Sequence, residues 1–592
     1  MLLTLFAALL CLLIGQLLFT MSLPAAPGFA VLLGAVLHVL GGGLAWLSFR
    51  SEAGSETEGV PSRRTQLLAI AAIVVLAGLL RFVWLETLPF RIDGDAAAFA
   101  ASADDFLRPD PPSLIGVGWQ SHTNVYLFLE SRVLWLFGYT AFGMRFFGAL
   151  GGTLGVLAIY ALGRSLWNFW VGFWAALITA VLPFHLVFSR VGTEVIHVTW
   201  LLPLATWSIW QGWRRNSWHW FLLGGLAIGL SQYFYPGARL IPILAVAQIG
   251  LLTLFPPEGA RSRRRGGWGL LWLVIGVLAI YGPMIPYFIR KPEVYSARIT
   301  IVSIFSSGWL AQQLEQRPWW SVLITQLRNA YLPFFVPLKG PAIWFVWPQY
   351  LGPFDAALFV LGLIGVWVGR QTPRWLKLFL AIYLLLGMFL AGVLTIDTPM
   401  PSRYVIFVPA VALAAGYALD QLIGALRRPA AQRALKLGLA MAVTCLYLGI
   451  NVSSYLKHDT EAIWEIDHTG QMATYAARHL QTLPDQDFEI FFLQTELMYY
   501  EASPVLAFLT DKPGNNIKKE FTCDVVTNVV RKPYTVFIAP EPRLGELQAM
   551  NKRLSMSKLS VLSTPQSTPV VGVLEVWKPV QNAPLCLTSV ED

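Results

Sequence analysis

The chain has 592 residues, of which 56% are hydrophobic and only 13% charged, with a formal net charge of +9. An average soluble domain carries about a quarter charged residues, so too little polar surface is present to cover a water-soluble globule of this length. Nor does the positive charge point to nucleic acid, because the arginines cluster in short loops between apolar blocks, which is a topology signal.

The apolar blocks are continuous rather than alternating, and each is close to the 20 or so residues a helix needs to cross a bilayer. A polytopic α-helical membrane protein with about 13 transmembrane helices is predicted. The spans fall near 3–21, 28–49, 67–87, 143–163, 169–188, 193–213, 218–235, 239–255, 268–288, 353–369, 375–395, 403–425 and 437–455. Almost no loop separates neighbours around 188–193 and 235–239. The opening Met1-Leu2-Leu3-Thr4-Leu5-Phe6 lacks the basic region and cleavage site of a signal peptide and is read as a retained first helix.

Five basic groups then fall on one side: Arg50 with Arg63 and Arg64; Arg214 and Arg215; Arg261 with Arg263, Arg264 and Arg265; Arg370 with Arg374 and Lys377; Arg427 and Arg428 with Arg433 and Lys436. The positive-inside rule makes that side cytoplasmic, with the N-terminus inside and the C-terminal region outside. Residues 1–66 hold two spans and a cytoplasmic loop, whose Gly-, Ser- and Glu-rich stretch 51–62 reads as flexible. Residues 67–456 form the main membrane module, with outer loops 88–142 and 289–352, the second rich in Trp, Phe and Pro and expected along the interface.

Residues 457–592 alternate strand-like runs (488–492, 535–538, 570–574) with helix-like ones (471–480, 544–554), which predicts a small extracytoplasmic α/β domain. Cys523 and Cys586 lie in this region and can pair if it is extracytoplasmic, whereas Cys11 and Cys445 sit in apolar blocks as packing residues.

The chemistry-bearing segment is Arg91-Ile92-Asp93-Gly94-Asp95-Ala96-Ala97-Ala98-Phe99, directly after the third span. A carboxylate beside apolar surface has its pKa raised toward the range of a general base. Asp93 and Asp95 are therefore the catalytic candidates, and Asp104 and Asp105 read as solvated loop carboxylates. Glu194 and His197 lie one turn apart at the outer start of a span, either on substrate or with Glu194 paired to Arg190 four residues earlier. His122 sits on the first outer loop, either on substrate or satisfied within the loop. No Walker A loop, His-Glu-x-x-His or Gly-x-Ser-x-Gly pattern is present. No metal or other cofactor is required by these motifs, although Asp93 and Asp95 offer ligands for a divalent ion.

The acidic segment and its flanks resemble the first outer loop of GT-C-type glycosyltransferases, the protein mannosyltransferase and aminoarabinose transferase-like enzymes that use polyprenyl-phosphate sugars. Similar stretches follow in order: Leu136-Phe137-Gly138, Met144-Arg145-Phe146 and Gly148-Ala149-Leu150-Gly151; then Pro183-Phe184-His185, Phe188-Ser189-Arg190-Val191-Gly192 and Glu194; then Tyr233-Phe234-Tyr235-Pro236-Gly237-Ala238-Arg239. The likeness covers roughly 67–430. It departs from the pattern where Asp95 is followed by Ala96, many members having Asp-Glu, and in two additional N-terminal spans. The resemblance implies transfer of a sugar from a polyprenyl-phosphate donor to a hydroxyl acceptor (glycan, lipid or protein) at the outer face of the plasma membrane, with inversion and Asp95 as base. The leaving phosphate needs cationic donors, for which Arg190, Arg239, Arg298 and Arg403 are the candidates. Tyr235 enters the candidate set through its motif. A lipid or glycan transporter is the alternative; it would need a polar path through the bundle, and the charges gather instead at the outer ends of the spans.

Overall fold

The computed structural model describes residues 2–22, 28–50, 61–257, 262–338, 349–426, 433–457, 468–483, 487–496, 498–564, 567–578 and 585–586. Most of the loop 51–62, and Arg261, Arg427 and Arg428 of the basic groups, lie outside them. The chain forms two compact units. One comprises Met1–Val83, Ser113–Tyr126 and Phe147–Leu456; the other comprises Trp84–Pro112, Leu127–Phe146 and Lys457–Asp592. The sequence-drawn boundary at 457 thus leaves out two stretches of the first outer loop that group with the C-terminal region.

The first unit is a helical membrane bundle. Every segment predicted as a span is helical over most of its length. Among the described residues, seven helices are individually long and apolar enough to cross a bilayer, and up to nine if two bent pairs each count as one span. The count of 13 is therefore not reached by length and composition alone. Both bends have the same cause. Phe169–Val181 and Pro183–Val191 meet at 57°, and Arg264–Tyr281 and Met284–Arg290 at 73°. Pro183 and Pro283 lack the N–H that would continue the helical ladder, and a proline ring clashes with the preceding turn.

Small residues let these helices approach closely, as lipid-embedded packing requires. A Cβ on Gly362 would lie 1.9 Å from the Ala414 carbonyl oxygen, so helix Pro353–Val368 rests directly on helix Val408–Leu426. The latter also packs on Phe169–Val181 and is buried along most of its length, which makes it the centre of the bundle. Helices Leu2–Ser22 and Gly28–Arg50 pack on each other and on Pro353–Val368. In the loop 289–352, the described part folds as three short helices, Pro292–Val302, Trp309–Gln316 and Trp319–Tyr331; residues 339–348 lie outside the described set.

The second unit is built on a five-stranded sheet of β1 (Glu489–Leu493), β2 (Gly514–Ile517), β3 (Tyr534–Pro540), β4 (Ser557–Ser563) and β5 (Pro569–Trp577) in the order β2-β1-β3-β5-β4. The β2-β1-β3 part is parallel, with Phe491 opposite Phe537, and β5 pairs antiparallel with both β3 and β4. Apolar alternation aims Phe491, Leu493, Phe537, Ala539, Leu574 and Val576 into a core shared with helices Cys523–Val529 and Leu544–Arg553. Helix His468–Gln481 packs on β5 and on Pro504–Thr510, which packs in turn on Gly94–Asp104. Cys523 and Cys586 form a disulfide.

Candidate active site

The acidic turn belongs to the second unit. Asp93 is buried and caps helix Gly94–Asp104, its Oδ1 accepting from the Ala96 amide at 3.0 Å. Its other oxygen pairs with Arg91 at 3.1 Å. A side-chain oxygen that meets the orphan amides of a first helical turn is a standard N-cap, so Asp93 has a structural task. Asp95 stands in the first turn of that helix, half-buried. Asp104 is bonded to Tyr139 and paired with Arg108, and Asp105 also pairs with Arg108. Both are thus tied at the far end of the helix, away from the acidic turn.

In the first unit a cleft with about 370 Å³ of empty space is lined by His122, Gln232, Phe234, Tyr235 and Arg239, among others. The chain is broken here in three places. Gly192 takes a left-handed conformation (φ 93°) that ends helix Pro183–Val191, which any side chain at that position would resist. Glu194 to His197 then form a 3-10 turn. Pro236 starts a second such turn, Pro236–Arg239, ahead of helix Leu240–Leu254.

These breaks bring separate candidates together. The His122 ring nitrogen Nε2 lies 3.1 Å from Glu194 Oε1, and both side chains are buried. Thr123 holds the His122 loop by donating to the Tyr233 carbonyl at 2.6 Å. The Tyr235 hydroxyl is hydrogen-bonded to Ser402 and lies within electrostatic reach of Arg403, Glu194 and Arg298. Arg403 donates to Thr395 Oγ1 at 2.7 Å and to the Ile396 carbonyl at 2.6 Å. Arg239 lies over the Tyr295 ring, 4.0 Å from its centroid, and donates Nη2 to the Tyr295 carbonyl. Its Nη1 is buried with no hydrogen-bond partner. A buried donor left unmet is costly, and one aimed at a cleft is suited to an anionic oxygen.

Two candidates are engaged elsewhere. Arg190 is 1% exposed and donates to the carbonyls of Leu80 and Val83 at 2.5 and 2.9 Å. It closes the end of helix Arg63–Phe82, and the Gly192 break separates it from Glu194, so the expected Glu194–Arg190 helix pair gives way to Glu194–His122. His197 is enclosed by Phe147, Phe234 and Tyr126 and accepts from the Trp200 indole at 3.1 Å. It faces an aromatic cage, while Glu194, three residues before it, meets His122.

Arg81 was not among the candidates, yet it is fully buried and makes five hydrogen bonds. It donates to Ala77, Ala180 and Thr179 carbonyls, to Ser189 Oγ and to His185 Nδ1. Thr179 and Ala180 are among the carbonyls orphaned by Pro183, and an orphan carbonyl within lipid costs several kcal/mol. Arginine can only donate, so His185 accepts at Nδ1 and carries its proton on Nε2, toward Thr199 Oγ1 at 3.2 Å. An arginine inside the apolar run Leu79-Leu80-Arg81-Phe82 was the available signal. Among the described residues, no three His, Cys, Asp or Glu side chains gather into a metal-binding group.

Residues 121–287 match the dolichyl-phosphate-mannose-protein mannosyltransferase family. That stretch supplies the cleft from His122 through Tyr281. The fold matches ArnT from Cupriavidus metallidurans bound to undecaprenyl phosphate, at 14% identity and a TM-score of 0.50, over 87% of this chain and 98% of that one. The chain has the fold of a GT-C-type membrane glycosyltransferase. The GT-C fold is matched again by the oligosaccharyltransferase AglB from Archaeoglobus fulgidus, in complex with an inhibitory peptide and a dolichol-phosphate, at 12% identity and a TM-score of 0.50, over 88% of this chain and 75% of that one. No curated protein matches the chain in sequence.

Proposed function

We propose that this chain is a glycosyltransferase that moves a sugar from a polyprenyl-phosphate donor to a hydroxyl acceptor at the outer face of the plasma membrane, with inversion. The observation that carries this reading is the cleft in which Arg239 Nη1 is buried without a partner, beside the His122–Glu194 pair and Tyr235. Arg298 and Arg403 act on the same tyrosine. Such a set suits the phosphate of a lipid-linked donor. The family match, to proteins whose name specifies dolichyl-phosphate-mannose, makes polyprenyl-phosphate mannose the first donor to test. The disulfide supports an extracytoplasmic second unit, because cytosolic thiols are kept reduced.

In the reaction, Asp95 takes the acceptor hydroxyl proton as the oxygen attacks the anomeric carbon. The bond from that carbon to the phosphate oxygen breaks, and its electron pair leaves with the polyprenyl phosphate. A single displacement inverts the anomeric centre. Within the first unit, Arg239 and His122, the latter held by Glu194, are the donors suited to a lipid-linked phosphate. Asp93, already committed as a cap, is the poorer base. Release of polyprenyl phosphate from the purified chain tests the roles. Asp95→Asn is expected to lower kcat about 10²- to 10⁴-fold with the fold retained. Arg239→Met is expected to raise the donor KM about tenfold or more, as loss of a charged contact does. Full turnover by Asp95→Asn would remove the assigned base.

A further inference from the structure

The stretch Trp84–Asp93 has no regular secondary structure, yet its backbone groups are met by side chains from far along the sequence. Arg478, on helix His468–Gln481, donates Nη2 to the carbonyls of Glu86 and Phe90 at 3.0 and 3.3 Å. Its guanidinium lies over the Phe90 ring, 4.8 Å from the centroid. One turn earlier on the same helix, Thr474 Oγ1 accepts from the Ile92 amide at 3.0 Å, and Tyr475 packs against Phe90. Thr474 is fully buried. On the opposite side, Arg145 donates to the Leu85 and Arg91 carbonyls at 3.0 and 2.8 Å, and Glu86 accepts from the Phe142 amide. Four carbonyls and one amide in eight residues are therefore fixed by side chains, and the segment ends on Asp93 and Asp95.

We infer that helix His468–Gln481 is the anchor of the acidic turn, and that Arg478 and Thr474 are positioning residues for Asp95. This rests on the reading of Asp95 as the base. The Thr474 bond fixes Ile92 three residues before that carboxylate, and the two Arg478 bonds fix the backbone leading into it. Neither side chain needs to touch substrate. The C-terminal region thereby contributes to turnover by holding a loop that precedes it by almost 400 residues, as the separations of 382 and 392 between the bonded residues record. A loop without its own ladder is free to drift, and a shift of about 1 Å in a reacting group costs on the order of 10²-fold in rate.

The test uses the full chain in detergent, with amide hydrogen exchange across 85–97 and release of polyprenyl phosphate from polyprenyl-phosphate mannose, water and simple glycosides serving as acceptors. Thr474→Val, close to isosteric, and Arg478→Ala are expected to speed exchange in 85–97 while leaving β1, β3 and β5 unchanged. Both are expected to lower kcat about tenfold or more with the donor KM within about twofold. Arg478→Lys, which keeps one charged donor, is expected to restore part of kcat. Unchanged exchange in both variants overturns the anchoring. Faster exchange with kcat intact, while Asp95→Asn is inactive, overturns the positioning role. Turnover by Asp95→Asn instead sinks the base assignment, and the exchange result, read without substrate, still decides the anchor.

Discussion

At the scale of single residues, the molecule concentrates its cost in a few buried polar side chains. Glu130 is an instance in the second unit. It lies on helix Asn124–Phe137, is 1% exposed, and has a carboxyl oxygen with no hydrogen-bond partner. Burial pushes its pKa well above the ordinary carboxylate value. The folded chain therefore holds a proton that the unfolded chain has released, in the window between the unfolded and folded pKa. Stability falls as pH rises through that window and is not recovered above it. Glu130→Gln removes the titration; it is expected to raise Tm by about 2 °C or more at pH 8 and to flatten its pH dependence, measured by thermal unfolding in detergent. An equal Tm at pH 8 would mean the acid is compensated. The acidic turn was legible in the sequence because two carboxylates follow an apolar span. Arg81 was not singled out because the groups that hold it lie about a hundred residues away in the sequence, and Glu130 was not because Leu129-Glu130-Ser131-Arg132 carries no local sign of its burial.

Elements show the same division between local and distant causes. Arg543, just before helix Leu544–Arg553, donates to the carbonyls of Gln494, Ile517 and Lys519, which follow or end β1 and β2. It also pairs with Glu546 at 2.6 Å. One side chain thus fills the crevice at the carboxyl ends of parallel strands, where α/β sheets commonly receive ligands. Arg543→Ala leaves these carbonyls unmet and is expected to cost about 2–4 kcal/mol in the second unit. The bond from Arg543 holds the Glu546 carboxyl below its usual pKa. That contribution is present above the unfolded pKa and fades as pH falls through the folded one. Urea unfolding at pH 7 and pH 4 should therefore show a smaller Arg543→Ala penalty at the lower pH; a penalty independent of pH would assign the effect to the carbonyls alone. Strands β1, β3 and β5 were readable as apolar β-rich runs. β2 (Gly514-Asn515-Asn516-Ile517) carries little strand propensity, and β4 is a half-polar edge, so both were invisible without the pairing that creates them. The predicted spans overlap helices, but the bends at Pro183 and Pro283 were smoothed into straight spans, and short helices such as Pro292–Val302 and Pro504–Thr510 were not foreseen.

For the whole molecule, hydropathy gives the bundle directly, while the grouping of the first outer loop with the C-terminal region depends on contacts no local pattern encodes. The disulfide links positions 63 residues apart, and closing a loop of that length removes about 4 kcal/mol of unfolded-state entropy by the chain-entropy account. In a background with the free Cys11 and Cys445 replaced by alanine, Cys523→Ala exposes Cys586. A membrane-impermeant maleimide added to intact cells is expected to label it. Labelling only after permeabilisation would place the second unit in the cytoplasm and end the outer-face reading. The Arg81 network also has a consequence for biogenesis. Its acceptors at Thr179, Ala180 and His185 are synthesised about a hundred residues after it, as the separations of 98, 99 and 104 show. A nascent chain that has exposed only the first three hydrophobic stretches carries a guanidinium with the Ala77 carbonyl of its own helix as partner, while the other four partners do not yet exist. The third stretch is therefore held less well in lipid by itself than in the finished bundle, and it gains its full set of acceptors only when the proline-bent pair Phe169–Val181 and Pro183–Val191 arrives to receive it.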